Sequence, residues 1–283
     1  MSLLRSCLVV SIVLPLSLAQ WLAIPLGAQG VPADSTPPGA FTRVEAKRFA
    51  GVAVLGGLAY LGDQGARDAV RGAGPQGNPL LDGIAGFGNA WGQPGVVTLG
   101  AVMWGGGLLA RKPIVATAGL RAIETLTVSG TVTSLLKMAF GRARPYLAPD
   151  APNDLKLFRG AEYADGRYSS MPSGHATAAF AFASAVTGEV RLHAPQHARV
   201  VGLLSYGAAT MTAYARMHDD RHWLSDVTVG AGIGTVTGWA ITRWHATRPD
   251  NAIDRVLLKP VLTPLFRPLG TGGMQVGLTI LTR

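Results

Sequence analysis

The chain has 283 residues, 48% hydrophobic and 14% charged, with 37 glycines and a net charge of +9. That charged share is about half the usual one, the length suits one large domain or two small ones, and the basic balance favours anionic partners such as phosphate esters or lipid headgroups. A low aromatic content without interleaved basic residues argues against nucleic acid, and the single cysteine, Cys7, excludes an intrachain disulfide or a metal site built from several cysteines.

Residues 1–28 read as an export signal, with Arg5 as the positive start, Leu8 to Leu18 as the apolar stretch and Ser17-Leu18-Ala19 as the cleavage site. The rival reading is an uncleaved N-terminal anchor over Leu8 to Leu26, broken by Pro15 and Pro25. Residues 27–42, with Pro32, Pro37 and Pro38, form a linker. Phe49 to Gly62 is a short apolar run, expected as a packed helix, and 63–90 reads as a Gly/Pro/Asp-rich loop. Helices are expected over Val96 to Ala110, Ile114 to Phe140, His175 to Glu189, Val200 to Ala215 and Trp223 to Trp244, with a long loop over 145–171. Met274 to Ile280 alternates like a strand, after Pro260, Pro264 and Pro268. The domain reading is 1–28 signal or anchor, 29–90 linker, packed helix and loop, 91–250 catalytic helical domain and 251–283 tail.

Antiparallel helices place alternate connections at the same end. Arg111-Lys112, Arg191–Arg199 and Arg243–Arg248 then fall at one end, the loops 140–174 and 216–222 at the other. Basic short connections at one end fit the positive-inside rule, so the second end is expected to face the periplasm. The fold class is therefore an all-α antiparallel bundle, membrane-embedded, with a short β-like tail. A soluble periplasmic bundle is the alternative, because several helices are short for a span and mean hydropathy is only +0.27.

Three clusters meet at that second end. Lys137 precedes Arg144-Pro145 by seven positions, Pro172-Ser173-Gly174-His175 opens a helix, and Arg216 precedes His222 and Asp226. His222 and Asp226 are four apart, on one face if a helix starts there. A carboxylate so placed accepts the Nδ1 proton of the imidazole and leaves Nε2 bare, which orients a nucleophile or base. The competing reading is a polar loop with Asp226 as a first-turn acid. Likewise a lysine and an arginine at a helix end are ordinarily solvated, and a Ser-Gly before a helix is ordinarily an N-cap.

As a set, these motifs resemble the type 2 phosphatidic acid phosphatase family, related to bacterial acid phosphatases and vanadium haloperoxidases. The family pattern is Lys-x6-Arg-Pro, Pro-Ser-Gly-His and Ser-Arg-x5-His-x3-Asp; here only Ala215 departs, standing where the family has serine. The motifs cover 137–226, and their helices extend the match to about 91–244. The resemblance implies a metal-independent phosphohydrolase without cofactor. His222 attacks phosphorus to give a phosphohistidine, Asp226 orients it, and His175 is the general acid and base. Lys137, Arg144, Ser173, Gly174 and Arg216 hold the phosphate, with the cationic side chains in the place of a metal. Vanadate is expected to inhibit.

The apolar, glycine-rich helices point to a lipid phosphate or pyrophosphate as substrate and to the membrane as partner. A periplasmic non-specific acid phosphatase is the alternative and a vanadium haloperoxidase a more distant one. The expected location is the bacterial cell envelope: inner membrane with a periplasm-facing site, or periplasm. Nothing in the sequence sets the oligomeric state. Phe158, Arg159, Tyr163 and Tyr168 are expected to flank the entrance. Arg142, Asp219 and Asp220 are expected to be solvated, Arg121 with Glu124 to form a structural pair, and His193 and His197 to lie on the surface.

Overall fold

The computed structural model describes residues 39, 41–162 and 165–258, and the backbone of 261–268 and 274–281. The signal or anchor, most of the following linker and Tyr163 lie outside the described residues. Helix α1 (Arg43–Tyr60) opens with a capping box: Val44 N–H donates to the Thr42 hydroxyl and Thr42 N–H to Glu45 at 2.9 Å. Glu45 is buried and also takes the Arg243 guanidinium at 2.9 Å, so the cap ties α1 to a distant helix end.

The stretch 63–90, expected as a loop, forms two helices, α2 (Asp63–Arg71) and α3 (Pro79–Ala90). Three glycines make α3 poor for helix, but tertiary contact overrides propensity; α2, with one glycine, is short rather than weak. A Cβ at Gly88 would lie 2.3 Å from the Met211 carbonyl, so glycine there is a packing choice. After a π-helical turn over Trp91–Gly95 come α4 (Val96–Leu109), α5 (Pro113–Phe140), α6 (Gly174–His193), α7 (Ala198–His218), α8 (Leu224–Ala246) and short α9 (Ala252–Leu257). The long helices match their expected spans closely.

The chain closes on an antiparallel hairpin, β1 (Val261–Pro268) and β2 (Met274–Leu281), with Val261 opposite Leu281 and Pro268 opposite Met274. The expected second strand is present. Its partner was hidden by Pro264 and Pro268, residues that a strand tolerates at a sheet edge, and both strands of a lone hairpin are edges.

Helix α6 is central, packed on α5, α7 and α8. Its small residues Ala176, Ala179 and Ala183 join Phe180, Tyr206 and Met217 in the main core cluster. Three glycines one turn apart let α8 press onto α6: a Cβ on Gly230, Gly234 or Gly238 would come within 2.6 Å of Ser173 O, Thr177 O or Ser184 Oγ, respectively. This close approach carries the start of α8 to the start of α6, where Ser173 N–H donates to Asp226 O at 3.0 Å.

The expected arrangement of ends holds. The C-terminal ends of α5 and α7 and the N-terminal ends of α6 and α8 share one end of the bundle. At the other, Arg121 of α5 pairs with Glu189 of α6, and His245 of α8 with Glu124 of α5. The molecule is the expected helical bundle with a short β tail. Among the described residues, no helix is long and apolar enough to cross a membrane.

Candidate active site

The candidate side chains sit at helix ends or in the loops beside them. Lys137 lies in the last turn of α5, which stops at Gly141 in a left-handed conformation with its N–H on the Lys137 carbonyl. Beyond it the loop folds back over the bundle end. Arg144 donates from Nε to Gly166 O at 3.0 Å and from Nη2 to Ser169 Oγ at 3.1 Å. Lys137 Nζ donates to Ser169 O, so the same short stretch holds both cations. Arg216, in the last turn of α7, donates from Nη1 to Asn89 Oδ1 at 2.6 Å, and Asn89 in turn donates to Asp219 at 2.7 Å.

Ser173 caps α6: its oxygen accepts from Ala176 N–H, and the side chain is fully buried. Gly174 opens the helix, and a Cβ on it would have Lys137 Cε and Gln93 Oε1 at 3.9 Å. The N-terminus of α6, with free N–H groups beside a lysine, is built to receive an anion. His175 follows, and the π-helical turn presses on it. A Cβ on Gly92 would lie 2.6 Å from His175 Cδ2. Turns of this kind recur at functional sites.

His222 precedes α8, and its Nδ1 faces Asp226 Oδ2 at 3.5 Å, at the outer edge of a hydrogen bond. Asp226 is fully buried and held on every side. Oδ2 accepts from Ser170 Oγ at 2.5 Å and from Trp223 N–H at 2.9 Å, while Oδ1 accepts from Arg142 at 2.8 Å. Burial works to raise its pKa, but the hydrogen bond to His222 and the charge of Arg142 more than offset it, and Asp226 stays ionised.

The remaining titrations follow from burial among cations. Burial drives His222 well below its ordinary value, against the pull of Asp226 and with the push of Lys137, so its ring is neutral at rest. His175 is lowered to about 4 by burial and by Arg216, Lys137 and Arg144. Lys137 is lowered to about 7 by burial and by Arg144, with Asp226 opposing. Lys137, Arg144, His175, Arg216, His222 and Asp226 thus share one electrostatic site, and the structure brings together every residue that the motifs single out.

Next to it lies a cavity of about 480 Å³ between α4, α5 and α6, reaching Lys137 and Gly174 at one end. Val97, Leu126 and Leu135 line its apolar part, and Ser129, Thr133 and Gln93 supply polar groups.

Residues 118–250, just under half of the chain, match the model of the PAP2 superfamily. Over 114 residues the chain is 30% identical to the lipid A 1-phosphatase of Porphyromonas gingivalis, covering 40% of this chain and 20% of that protein. The chain thus spans about a fifth of that relative's length. The fold is similar to the crystal structure of the transmembrane PAP2 type phosphatidylglycerolphosphate phosphatase from Bacillus subtilis, with a TM-score of 0.54 and 18% identity over 71% of this chain and 94% of that one. The motifs, the bundle and the family match agree.

Three expectations are corrected. Arg142, expected as solvated, is 1% exposed and donates to Asp226, Ser225, Asp63 and Pro152. Asp220 is buried and bidentate with Arg67 at 2.7 and 2.8 Å, and Asp219 holds Asn89. Both were misread because their partners come from the stretch taken for a loop. Others stand: Arg121 pairs with Glu124 at 3.2 Å, and His193 lies at the far end, about half exposed. Trp91 packs against Phe87 and Phe182. Phe158 is strongly exposed, and Tyr168 bonds to Asp154 at 3.0 Å. Sequence reasoning missed Asp63, Asn89, Gln93 and Ser170; no local spacing ties them to the motifs.

Proposed function

We propose that the chain is a phosphohydrolase that removes phosphate from a lipid phosphate or pyrophosphate through a phosphohistidine on His222. The observation that carries this reading is a surplus of buried positive charge around a neutral histidine. Lys137, Arg144 and Arg216 surround His175 and His222, and their hydrogen bonds run to carbonyl, hydroxyl and amide oxygens. Such a site suits an anion, and charge that develops on phosphoryl oxygens in the transition state is stabilised by donors already in place.

The phosphoryl group rests against the N–H groups of α6 and the three cations. His222 Nε2 attacks phosphorus while Asp226 accepts the Nδ1 proton in a strengthening hydrogen bond. The N–P bond forms as the P–O bond to the leaving group breaks, and His175 gives its proton to the departing oxygen. Water then attacks phosphorus, His175 takes the water's proton, and the N–P bond breaks to release phosphate. His175 is neutral in the empty site, so the charge of the bound phosphate is what brings it a proton. Metal independence and inhibition by vanadate belong to the same reading.

The lipid half of the proposal rests on the cavity beside Lys137, whose volume of about 480 Å³ is enough for part of an acyl or isoprenoid chain. It is supported by exposed apolar residues on α4, α5 and α8's neighbour α7, among them Val102, Leu109, Leu135, Leu203 and Leu204. A membrane partner in a bacterial envelope fits these faces, and both similar proteins carry names of lipid phosphatases.

The test is phosphate release from phosphatidic acid, phosphatidylglycerol phosphate, undecaprenyl pyrophosphate and p-nitrophenyl phosphate, in EDTA, with wild type beside His222→Ala. The expected result is release from a lipid that survives EDTA and drops at least about a thousandfold in His222→Ala, as losses of a nucleophile do. Release from the soluble ester alone would replace the lipid reading with a broad-specificity acid phosphatase. Full activity in His222→Ala would overturn the mechanism.

A further inference from the structure

The buried charges behind Asp226 extend beyond the region that matches the family. Asp63 opens α2, far up the chain, and is fully buried. Its Oδ1 accepts the Ser225 N–H at 2.7 Å, and its Oδ2 accepts the Ser225 hydroxyl at 2.7 Å and Arg142 Nη2 at 2.6 Å. Arg142 turns its other amino group to Asp226 Oδ1 at 2.8 Å and Ser225 Oγ at 2.7 Å, and Nε and Nη2 also meet the Pro152 carbonyl. The Tyr60 and Trp223 rings lie 5.2 and 5.4 Å from the guanidinium, so it has little room to turn. Asp63, Arg142 and Asp226 form a dry relay ending at His222.

We propose that Asp63 and Arg142 are positioning residues for the reaction, and that the catalytic unit therefore begins in α2. The proposal rests on the reading of His222 as nucleophile. Arg142 fixes the plane of the Asp226 carboxylate by holding Oδ1, which leaves Oδ2 turned to the imidazole. A guanidinium given wholly to Asp226 would quench the negative charge that must stabilise the imidazole as it gains a bond to phosphorus. Asp63 takes a share of that positive charge. Burial raises the Asp63 pKa, and Arg142 with the Ser225 donors opposes it; with both carboxylates ionised the relay carries net negative charge, and Asp226 keeps its pull on Nδ1–H. Burying such a group is expensive in isolation; Asp63 also caps the first turn of α8 by accepting the Ser225 N–H, a role that an asparagine oxygen would keep. The neighbouring pair of Arg67 with Asp220 already anchors α2 to the loop before His222.

The test compares Asp63→Asn, Arg142→Lys, Arg142→Met and Arg67→Ala with wild type and His222→Ala. Asp63→Asn keeps the shape of the side chain and removes its charge. Loss of a partner that orients a metal-ligating side chain typically costs about 10–100-fold, and a similar factor is expected for a partner that orients a nucleophile. Asp63→Asn is expected to lower kcat by about that factor with KM within about twofold, and Arg142→Lys to lose less than Arg142→Met. Arg67→Ala is expected to lower Tm with kcat and KM near wild type.

The nitrogen NMR shifts of the His222 ring give a readout that does not depend on turnover: protonation at Nδ1 in wild type and Arg67→Ala, and a mixture of tautomers in Asp63→Asn. Wild-type kcat and an unchanged tautomer in Asp63→Asn would overturn the proposal while leaving His222 as nucleophile. Equal loss of kcat in Arg67→Ala and Asp63→Asn at equal loss of Tm would reduce the relay to a structural clamp. Full activity in His222→Ala would sink the mechanism instead, and the tautomer readout would still decide whether Asp63 positions the ring.

Discussion

The two ends of the bundle both bury charge, and they do so in opposite ways. At the far end Arg121 meets Glu124 at 3.2 Å, Glu189 at 3.5 Å and Asp254 at 2.7 Å, and His245 bridges Glu124 and Asp254 at 2.9 and 3.2 Å. That cluster supplies its own counter-ions and docks α9 onto α5, α6 and α8. At the candidate site, among the described residues, no ion pair joins Lys137, Arg144 or Arg216 to a carboxylate. The acids nearby are engaged elsewhere: Asp226 by Arg142, Asp220 by Arg67 and Asp219 by Asn89. A cluster whose charged groups pair with one another, as Arg121 and His245 do with Glu124, Glu189 and Asp254, is a fastening. A cluster with surplus charge of one sign is a receptor, because burial makes an unpaired charge costly until a ligand neutralises it.

The comparison can be broken by removing the surplus. Arg216→Ala or Arg144→Ala should lower kcat/KM by about 10²–10³, the usual loss for one donor aimed at developing negative charge. Steady-state assays of each variant check it, and wild-type kcat/KM in either would remove that arginine from the receptor. A smaller effect is expected from Gly92→Ala. The new methyl would meet His175 Cδ2 at 2.6 Å and displace the ring, and a shift of about 1 Å costs roughly 10²-fold at most. Here kcat should fall while sulfate affinity, which depends on the cations, stays near wild type.

The pH dependence sharpens the same contrast. Lys137 is charged below about 7 in the empty site and neutral above it. A dianion favours the charged lysine, so binding above that pH must import a proton. Affinity should then fall by up to about tenfold per pH unit, since one pKa unit is about 1.4 kcal/mol. Sulfate, whose charge is constant in this range, is the probe for a titration by calorimetry from pH 6 to 9. Lys137→Arg, which keeps its charge, should flatten the curve. Smallest in activity is the change at the other end. Arg121→Met should cost about 3–5 kcal/mol of stability by leaving its buried acids unpaired, read by denaturant unfolding. The folded fraction should keep kcat within about twofold; a large loss of kcat would show that the two ends are coupled.

Much of this was legible in the sequence because it is local or periodic. The spans of α5 to α8 follow from uninterrupted apolar stretches closed by charged turns. His222 and Asp226 share a face because α8 starts where its spacing requires, and Pro172 to His175 reads as a helix start because Ser173 caps it. The single strand in the tail was readable from its alternation, whereas its partner carries two prolines and was not. Helix α3 was illegible because its three glycines leave little propensity of its own, and α2 because nine residues are too few to stand without what they pack on.

The sequence by itself determined which residues make up the candidate site and that they meet at one end, since helix length and connection order decide which ends coincide. Only the tertiary structure decided how the charges are shared out. Asp63 and Arg142 are far apart in the chain, as are Arg67 and Asp220, and Asn89 and Arg216. A pairing between side chains on different helices depends on the rotation and depth of each helix against its neighbours. Those are set by the close seam of Gly230, Gly234 and Gly238 against α6 and by the packing of α2 and α3. No spacing along the chain records them, so a solvated arginine and a buried one look the same until the fold is known.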